Sequence, residues 1–473
     1  MGNQIFKMDN VRKAINYLKK NGISHAYYAA RERIEEERRA DYYYLAPSQE
    51  KLTRQRQETG NFPYLFSIVA PAYETEEVHI QEMIASVRAQ SYRKWELIIV
   101  DASASDRVEK TVREILVQTK DMRIKYRRLP KNLGIAGNTN AGIALAAGEY
   151  IALLDHDDFI TPDALYCMAI AIQECKVQSC APVLLYSDED KYDEASKTFI
   201  TPHIKQKFNL DLLLSNNYVC HFMVVEANLL KTLKLREEYD GAQDYDLVLR
   251  ITENLLNRDL FNRMDSMIVH IPKVLYHWRS HARSTALNTQ SKSYAYEAGR
   301  MALVDFCRQQ ELAARVEHGL HLGFYETIYE PDILTARKDV GVVGGRILDA
   351  RGCICAGAYD ESGNCLFAGL NGHYSGGSTH RAVLKQDCAA VDVRCMRVRE
   401  QLQPVFSQIL GIPYRERVVR VKTRHGKKDM IIANAAGLNC DEAGYRKLSL
   451  VFGRAVRNEG YLTVWDPELT IRL

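Results

Sequence analysis

The 473-residue sequence lacks several features that define common protein classes. It contains no run of 18 apolar residues, which excludes a membrane-spanning helix, and its first residues lack the apolar core of a secretion signal. The 11 cysteines include no CxxC pair, so a zinc knuckle is excluded and reduced thiols in a cytoplasmic protein are expected. A net charge of +3 is too small to favour nucleic-acid binding.

Two phosphate-binding fingerprints are also missing. The segment from Asn132 to Gly137 reads Asn-Leu-Gly-Ile-Ala-Gly, which lacks the first close glycine pair of a dinucleotide-binding loop and the Lys-Ser/Thr of a P-loop. Gly134 and Gly137 can still let the backbone run close to a ligand. The sequence therefore gives little support to a redox enzyme or an ATPase.

Alternating strand and helix patterns predict an α/β protein. A charged, helical N-terminal extension is expected over residues 1–60, followed by an α/β domain over residues 61–320. In that domain the alternation predicts a Rossmann-like, mostly parallel sheet with helices on both faces. Its strands are expected to include 183–186, which the acidic set 187–190 ends, and 217–225. Residues 321–473, richer in glycine and short strands, are expected to form a smaller α/β module.

The most informative segment is an acidic cluster at the end of a predicted strand. Tyr150 to Leu154 form a short apolar run, and Asp155, Asp157 and Asp158 follow within four positions. Ligands bind at the carboxyl ends of strands in α/β sheets, and clustered carboxylates suit Mg²⁺ or Mn²⁺. The alternative is a solvated turn before a helix that starts near Thr161-Pro162-Asp163.

Other polar residues follow neighbouring predicted strands. The Pro71-Ala-Tyr73-Glu74 segment and Asp101 each end a strand, so they are expected to converge with the acidic cluster at one sheet edge. The Asp101 carboxylate could accept a hydrogen bond from a base N–H or from a ribose hydroxyl. Its alternative role is to cap the N-terminus of the next helix.

Two further segments carry candidate chemistry. Asp244 and Asp246 open a predicted helix, where the helix dipole favours carboxylates, but one of them could act as a general base. Residues 277–283 interleave two histidines with two arginines, which could neutralise a departing diphosphate.

Together these residues resemble glycosyltransferase family 2 enzymes with the GT-A fold. The resemblance covers about 66–285 and rests on six motifs in order: Val69-Ala-Pro-Ala-Tyr73, Ile99-Val-Asp101, Asn132-Leu-Gly134, Leu154-Asp-His-Asp-Asp158, Gln243-Asp244 and Trp278-Arg-Ser-His281. Ser187-Asp-Glu-Asp-Lys191 and Phe208-Asn-Leu-Asp-Leu-Leu213 are similar to a bacterial subgroup that makes rhamnan and O-antigen polysaccharides.

The resemblance implies a metal-dependent, inverting sugar transfer from a nucleotide-sugar, either a dTDP- or a UDP-sugar, to a glycan or lipid-linked acceptor. The resemblance also implies a role for each candidate residue. Asp101 and the loop of Pro71, Tyr73 and Glu74 would bind the nucleoside, Asn132 and Gly134 the donor, and Asp155 the ribose. Asp157 and His281 would bind Mg²⁺ or Mn²⁺, Arg279 and His281 would bind the diphosphate, and Asp244 would be the catalytic base. One departure is Thr139, because the family often has arginine there.

The C-terminal region looks like the back half of a second such domain. Val340 to Leu348 and Gly460 to Asp466 are similar to the closing segments of the family, and alignment on Gly460 puts Ser449 and Val451 where the paired acids would fall. We therefore expect a truncated, non-catalytic module that packs against the first domain or binds glycan.

Two other functions compete with this hypothesis. The truncated module and the missing arginine are also compatible with a non-catalytic glycan-binding or scaffold protein of polysaccharide assembly. A nucleotidyltransferase is disfavoured because Pro71 to Glu74 contain no phosphate-binding Lys or Arg. The expected location is the cytoplasm, and basic runs such as 415–428 leave peripheral attachment to the inner face of the membrane open.

Overall fold

The computed structural model describes residues 8–37, 42–258, 260, 263–280, 293–423 and 426–473. Its helices are α1 (Met8–Glu37), α2 (Gln49–Glu58), α3 (Glu77–Arg88), α4 (Arg107–Thr119), α5 (Gly134–Ile143), α6 (Ala164–Val177), α7 (Leu210–Leu213), α8 (Ala227–Leu233), α9 (Gln243–Leu256), α10 (Met264–Met267), α11 (Ser293–Gln309), α12 (Ile333–Ala336), α13 (Gln403–Leu410) and α14 (Glu442–Asn458). Within the described ranges, no helix is both long enough and apolar enough to cross a membrane.

The strands alternate with these helices along the first two thirds of the chain. They are β1 (Phe66–Ala72), β2 (Trp95–Asp101), β3 (Ile124–Arg128), β4 (Tyr150–Leu153), β5 (Phe159–Ile160), β6 (Leu184–Asp193), β7 (Thr198–His203), β8 (Met223–Glu226), β9 (Ile268–Ser280), β10 (Ala314–His318), β11 (Tyr325–Tyr329), β12 (Val340–Leu348), β13 (Ile354–Ala356), β14 (Ala358–Tyr359), β15 (Gln386–Asp387), β16 (Ala390–Val391), β17 (Met396–Val398), β18 (Glu416–Thr423), β19 (Gly426–Ala433) and β20 (Leu462–Arg472).

The chain forms two compact units. The first, called the sheet unit, comprises residues 42–208 and 217–311, and the second, called the C-terminal unit, comprises residues 1–41, 209–216 and 312–473. This grouping differs from the boundaries expected from sequence, because residues 42–60 belong to the sheet unit whereas 1–41 and 209–216 belong to the C-terminal unit.

The sheet unit is built on a mixed sheet in the order β3-β2-β1-β4-β8-β6-β9-β5, with β7 added beside β6. Strands β3, β2, β1 and β4 are parallel, as the alternating pattern predicts, and β8 then pairs antiparallel with both β4 and β6. The predicted α/β class is confirmed: β6 and β9 also pair in parallel, whereas β5, β7 and β8 pair antiparallel with their neighbours.

The buried core explains why these segments fold as they do. Strands β1 and β2 are almost continuously buried, as expected for central parallel strands covered on both faces. On α3, Ile80, Met83, Ile84 and Val87 are buried at helical spacing, so one apolar stripe packs on the sheet.

Two strands in the middle of the domain have bounds that differ from the predicted ones. The predicted strand over 217–225 begins only at Met223, and the segment before it forms bends instead. Strand β6 does not stop before Ser187 but continues to Asp193. The acids inside β6 are tolerated because basic groups pair with them: Asp188 contacts His270 and Asp190 contacts His277.

The C-terminal unit has a separate core. Strands β13, β12, β20 and β15 form its main sheet, with β17 paired to β12. Val342, Phe406, Phe452 and Trp465 are buried together between this sheet and helices α13 and α14. The segments 340–348 and 460–466, which are similar to closing segments of the family, fall on β12 and on the first part of β20.

Candidate functional site

Three loops follow adjacent parallel strands at one edge of the sheet. In the register of β1 and β2, Ala72 lies opposite Asp101, and in that of β1 and β4, Val69 lies opposite Leu153. The loops that follow these residues carry Glu74, Ser103 and the acidic cluster. Convergence of these segments was predicted from sequence because parallel strands present their carboxyl ends on one edge.

Asp101 is fully buried and held by two hydrogen bonds. The Ser103 backbone N–H donates to its Oδ1 (2.8 Å), and the Tyr126 hydroxyl donates to its Oδ2 (2.7 Å). Burial and the Asp101 carboxylate raise the pKa of Tyr126, so that hydroxyl remains a donor. Because α4 begins after Asp106, the alternative of Asp101 as its N-cap is wrong.

Glu74 ties the loop after β1 to the loop after β2. Its carboxylate accepts hydrogen bonds from the Ser105 hydroxyl (2.6 Å) and from the backbone N–H groups of Ala104 (2.8 Å) and Ser105 (3.0 Å). These bonds, led by that from the Ser105 hydroxyl, lower the pKa of Glu74. Tyr73 is half-exposed, whereas Pro71 lies within β1. Glu74 thus fixes the shape of the predicted nucleoside loop.

The N-terminus of α5 is occupied by a carboxylate of the protein. The backbone N–H groups of Ile135 and Ala136 donate to Asp240 at 3.0 and 2.8 Å. Gly134 has a φ of 79°, and a Cβ there would lie 2.3 Å from Asp240 Oδ2. The glycine is therefore required for the approach of Asp240, and Asn132 closes the same turn by accepting from the Gly134 N–H at 3.0 Å.

Thr139 stands where the family often has arginine. Its side chain is buried, and its hydroxyl donates to the carbonyl of Ile135 at 2.8 Å within α5. The residue thus satisfies its own polar group inside the helix.

The acidic cluster divides into exposed and buried carboxylates. The side chain of Asp155 is 56% exposed and that of Asp157 is 27% exposed. Asp158 is buried, and it accepts hydrogen bonds from the Arg279 backbone N–H (2.7 Å) and the Tyr276 hydroxyl (2.5 Å). Burial, with the charges of Asp157 and Asp155, raises the pKa of Asp158 well above its usual range. Asp158 therefore supports the turn, whereas Asp155 and Asp157 are the more exposed acids of the cluster.

Arg279 is buried and contacts protein groups on several sides. Its Nε donates to the Asp157 carbonyl at 2.7 Å, and its guanidinium pairs with Glu82 and, at 3.7 Å, with Glu194. The guanidinium thus fixes the backbone at Asp157, and its predicted contact with a diphosphate stays a prediction. The predicted ligand His281 lies outside the described residues.

The two acids at the start of α9 have different surroundings. Asp246 is buried and forms ion pairs with Arg236 and Arg250. Asp244 is only partly buried, and its Oδ2 accepts from the side-chain amide of Asn217 at 2.8 Å and lies 3.4 Å from the Cys220 sulfur. Asp244 is therefore the carboxylate of the pair that a substrate could reach.

Sequence reasoning missed a cluster around His221. The His221 ring lies 3.5 Å from Asp155 through Nε2 and 3.3 Å from Glu189 through Nδ1, and it stacks on Tyr276 at 4.7 Å. Burial opposes its charge, but Cys220, Asp155 and Glu189 outweigh burial, so the pKa of His221 is raised well above its usual range. A positive imidazolium thus joins the acidic turn to β6.

Glu189 and Lys205 complete this cluster. Both are buried, and the Lys205 Nζ lies 3.4 Å from the Glu189 carboxylate. Burial opposes ionisation of Glu189, but Lys205 and hydrogen bonds from His203 and His221 hold its pKa well below its usual range. Burial raises the pKa of the Cys220 thiol to about 11. Glu189, Cys220 and His221 are close enough to share a metal ion, but the Lys205 ammonium already pairs with Glu189, which makes an ion-pair cluster the better account.

The exposed donors fit a hard divalent cation. Asp157 offers carboxylate oxygens on a turn that the protein holds rigidly through Arg279 and Asp158. Mg²⁺ prefers a small number of carboxylate oxygens as protein ligands, and substrate oxygens complete its coordination. The histidines His221 and His156 lie 3.5 Å from Asp155 and 3.8 Å from Asp157, respectively.

Comparison with known proteins agrees with this geometry. A family model described as Glycosyl transferase family 2 matches residues 67–233. WfgD of Escherichia coli, named as a UDP-Glc:alpha-D-GlcNAc-diphosphoundecaprenol beta-1,3-glucosyltransferase, is 39% identical over 194 residues, which are 40% of this chain and 71% of WfgD. The chain belongs to glycosyltransferase family 2. The mixed α/β sheet is accordingly a GT-A fold, as the sequence resemblance implied.

Some curated relatives are much longer than the matched region. The O-antigen biosynthesis protein RfbC of Myxococcus xanthus is 33% identical over 254 residues, which are 53% of this chain and 19% of RfbC. The chain spans a quarter or less of the length of three of the curated relatives that it matches, RfbC among them. The structure of S. aureus TarS 1-349 aligns with a TM-score of 0.37 at 18% identity, over 51% of this chain and 65% of that one.

Proposed function

We propose that this chain is a metal-dependent, inverting glycosyltransferase that moves a sugar from a dTDP- or UDP-sugar to a glycan or lipid-linked acceptor during bacterial cell-surface polysaccharide synthesis. Asp244 carries the proposal, because it is a partly exposed carboxylate oriented by Asn217 in the same compact unit as Asp101, Asp155 and Asp157. The names of the relatives WfgD and RfbC support a polysaccharide substrate.

The donor would be held by the loops at the sheet edge. Asp101, which is buried with its two carboxylate oxygens fixed by Ser103 and Tyr126, would position the segment that takes the nucleoside, next to the loop shaped by Glu74. Asp155, held by the His221 imidazolium, would accept from the ribose hydroxyls. Asp157 would hold Mg²⁺ or Mn²⁺, which when bound supplies positive charge beside the diphosphate.

Transfer would then be a single displacement. Asp244 would remove the proton from an acceptor hydroxyl as its oxygen attacks the anomeric carbon. The bond between that carbon and the diphosphate oxygen would break on the opposite face, and the nucleoside diphosphate would leave with the electron pair. This order of events inverts the configuration at the anomeric carbon.

Substitution of the base tests this proposal. Asp244→Asn should abolish transfer, whereas thermal stabilisation by the true nucleotide-sugar with Mn²⁺ should persist, because the donor-binding residues are untouched. Asp106→Asn, which changes an exposed acid of the same unit, serves as the control. Full turnover by Asp244→Asn would refute the assignment of the base, and lack of stabilisation of the wild-type protein by every dTDP- and UDP-sugar would refute the donor class.

A further inference from the structure

The C-terminal unit contains a large cavity of its own. Its volume is about 940 Å³, and every residue that lines it belongs to that unit. Helix α1, the turn over 319–324 and strands β12, β18 and β20 contribute walls. The volume is at the upper end of the range for small-molecule sites, so the cavity can hold a ligand of several rings.

The charges that line the cavity are balanced. Five basic and five acidic side chains contribute to its walls, and Lys385 lies 3.8 Å from Asp466 among them. A polyphosphate or nucleotide would need an excess of positive charge, which this lining does not provide. A neutral ligand with many donors and acceptors suits it better.

Arg346 offers a hydrogen-bond donor in the cavity wall. Its Nε donates to the Thr470 hydroxyl at 2.9 Å, where β12 and β20 run side by side. Its Nη1 is buried and has no hydrogen-bond partner among the described residues. A buried guanidinium N–H without a partner is costly, so an acceptor from a ligand would stabilise it.

Aromatic rings and the loop that carries His373 form another part of the cavity wall. Tyr28 of α1 stacks on His373 at 4.3 Å, and Tyr17 stacks on His321 at 5.8 Å. Such rings have an apolar face and a polar edge, as pyranose rings do. Glu32 of α1 accepts hydrogen bonds from the backbone N–H groups of Ser375, Gly376 and Gly377 at 2.7–2.9 Å, so α1 is anchored to the loop that carries His373.

We propose that this cavity is a second saccharide site, which binds a short segment of a neutral glycan through the Arg346 guanidinium and the rings of Tyr28 and Tyr17. It would retain a glycan chain rather than transform it, since the segment that aligns with the paired acids of the family holds Ser449 and Val451. Ser449 is buried and serves structure, because its hydroxyl donates to the Tyr445 carbonyl at 2.7 Å and accepts from the Val393 N–H at 3.1 Å. The proposal does not depend on sugar transfer, because no predicted donor-site residue belongs to this unit.

Saturation-transfer NMR on the full chain tests the site. The probes are short oligosaccharides of glucose, N-acetylglucosamine and rhamnose, each at millimolar concentration without metal or nucleotide. At least one should receive saturation in the wild-type protein and in Asp157→Ala. Its affinity should fall about tenfold or more in Arg346→Gln, since a charged hydrogen bond is lost, and Tyr28→Ala should also weaken it.

An exposed arginine of the same unit provides the control variant. Arg351→Gln alters an arginine of the same unit that is 86% exposed, so it should bind like the wild type. The proposal is overturned by wild-type binding in Arg346→Gln with an unchanged melting temperature, by displacement of the sugar with inorganic pyrophosphate, or by lack of binding of all three oligosaccharides. Loss of saturation in Asp157→Ala alone would assign the sugar to the donor site and would also overturn it.

Discussion

The side-chain amide nitrogen of Asn217 lies 2.8 Å from Oδ2 of Asp244, although the two residues are 27 positions apart. Asn217 belongs to the bends that precede β8, and Asp244 to the first turn of α9. The hydrogen bond fixes the rotamer of the carboxylate while leaving the residue partly exposed. Asn217 is thus a positioning residue for the proposed base.

Asn217→Leu should lower kcat for sugar transfer by about tenfold to a hundredfold, because it removes a hydrogen bond to a charged group. The KM for the donor should change little, since Asp101 and Asp155 are untouched. Steady-state kinetics with the true donor and acceptor measure both quantities. The matched control is Asn228→Leu, which removes a similar bond to Glu226 on the exposed first turn of α8. Equal kcat values in both variants would show that Asn217 does not position the base.

Asp157→Ala should remove the Mn²⁺-dependent part of donor binding and weaken affinity by about tenfold or more, because a carboxylate ligand is lost. Titration calorimetry of the nucleotide-sugar with and without Mn²⁺ measures this. In the exposed-acid control Asp106→Ala, the metal effect should remain. If the metal still enhances donor binding to Asp157→Ala to the wild-type extent, another residue holds it.

Glu189→Gln should lower the free energy of unfolding by about 3 kcal/mol near neutral pH, because it leaves buried Lys205 and the His221 imidazolium without their shared counter-charge. Chemical denaturation measures the loss. The partly exposed Glu194→Gln serves as the control.

The loss in Glu189→Gln should depend on pH. The folded state lowers the pKa of Glu189, so its stabilising contribution is complete above the unfolded value of about 4.3 and disappears as pH falls through the lower, folded value. The difference between wild type and variant should therefore shrink in acid. A difference that grows as pH falls would contradict the direction of the pKa shift.

Asp246→Asn should lower the free energy of unfolding of the sheet unit by about 3 kcal/mol, because Arg236 and Arg250 would lose the buried carboxylate with which both form ion pairs. At a temperature where it is folded, this variant should retain transfer activity, in contrast to Asp244→Asn. Thermal unfolding and an activity assay on the same sample separate the two effects. Complete inactivity of a folded Asp246→Asn would assign this acid to catalysis as well.

Much of the fold could be predicted because its signals are local. The apolar runs of β1, β2 and β4 and the helical spacing on α3 indicate buried parallel strands covered by helices. The convergence of Asp101 with Asp155 and Asp157 follows from the same rule, since each acid ends or follows a parallel strand.

The errors fall where local pattern and tertiary context disagree. The segment from Asn217 to Phe222 has strand-like composition, yet it bends and brings Asn217, Cys220 and His221 to the acids. The acids of β6 were expected to end that strand, but pairing with His270 and His277 lets it continue. Secondary-structure propensity cannot predict either result, because the side chains that pair with these segments are distant in sequence.

By itself, the sequence determined the α/β class, the acidic turn after β4 and the pair of acids that opens α9, because strand ends and helix starts are set by neighbouring residues. Only the tertiary structure decided which carboxylates are open to ligands. It buried Asp158 against Tyr276 and Arg279, and Asp246 against two arginines, while leaving Asp155, Asp157 and Asp244 partly exposed. The physical reason is that exposure and charge compensation depend on groups that folding brings from distant parts of the chain.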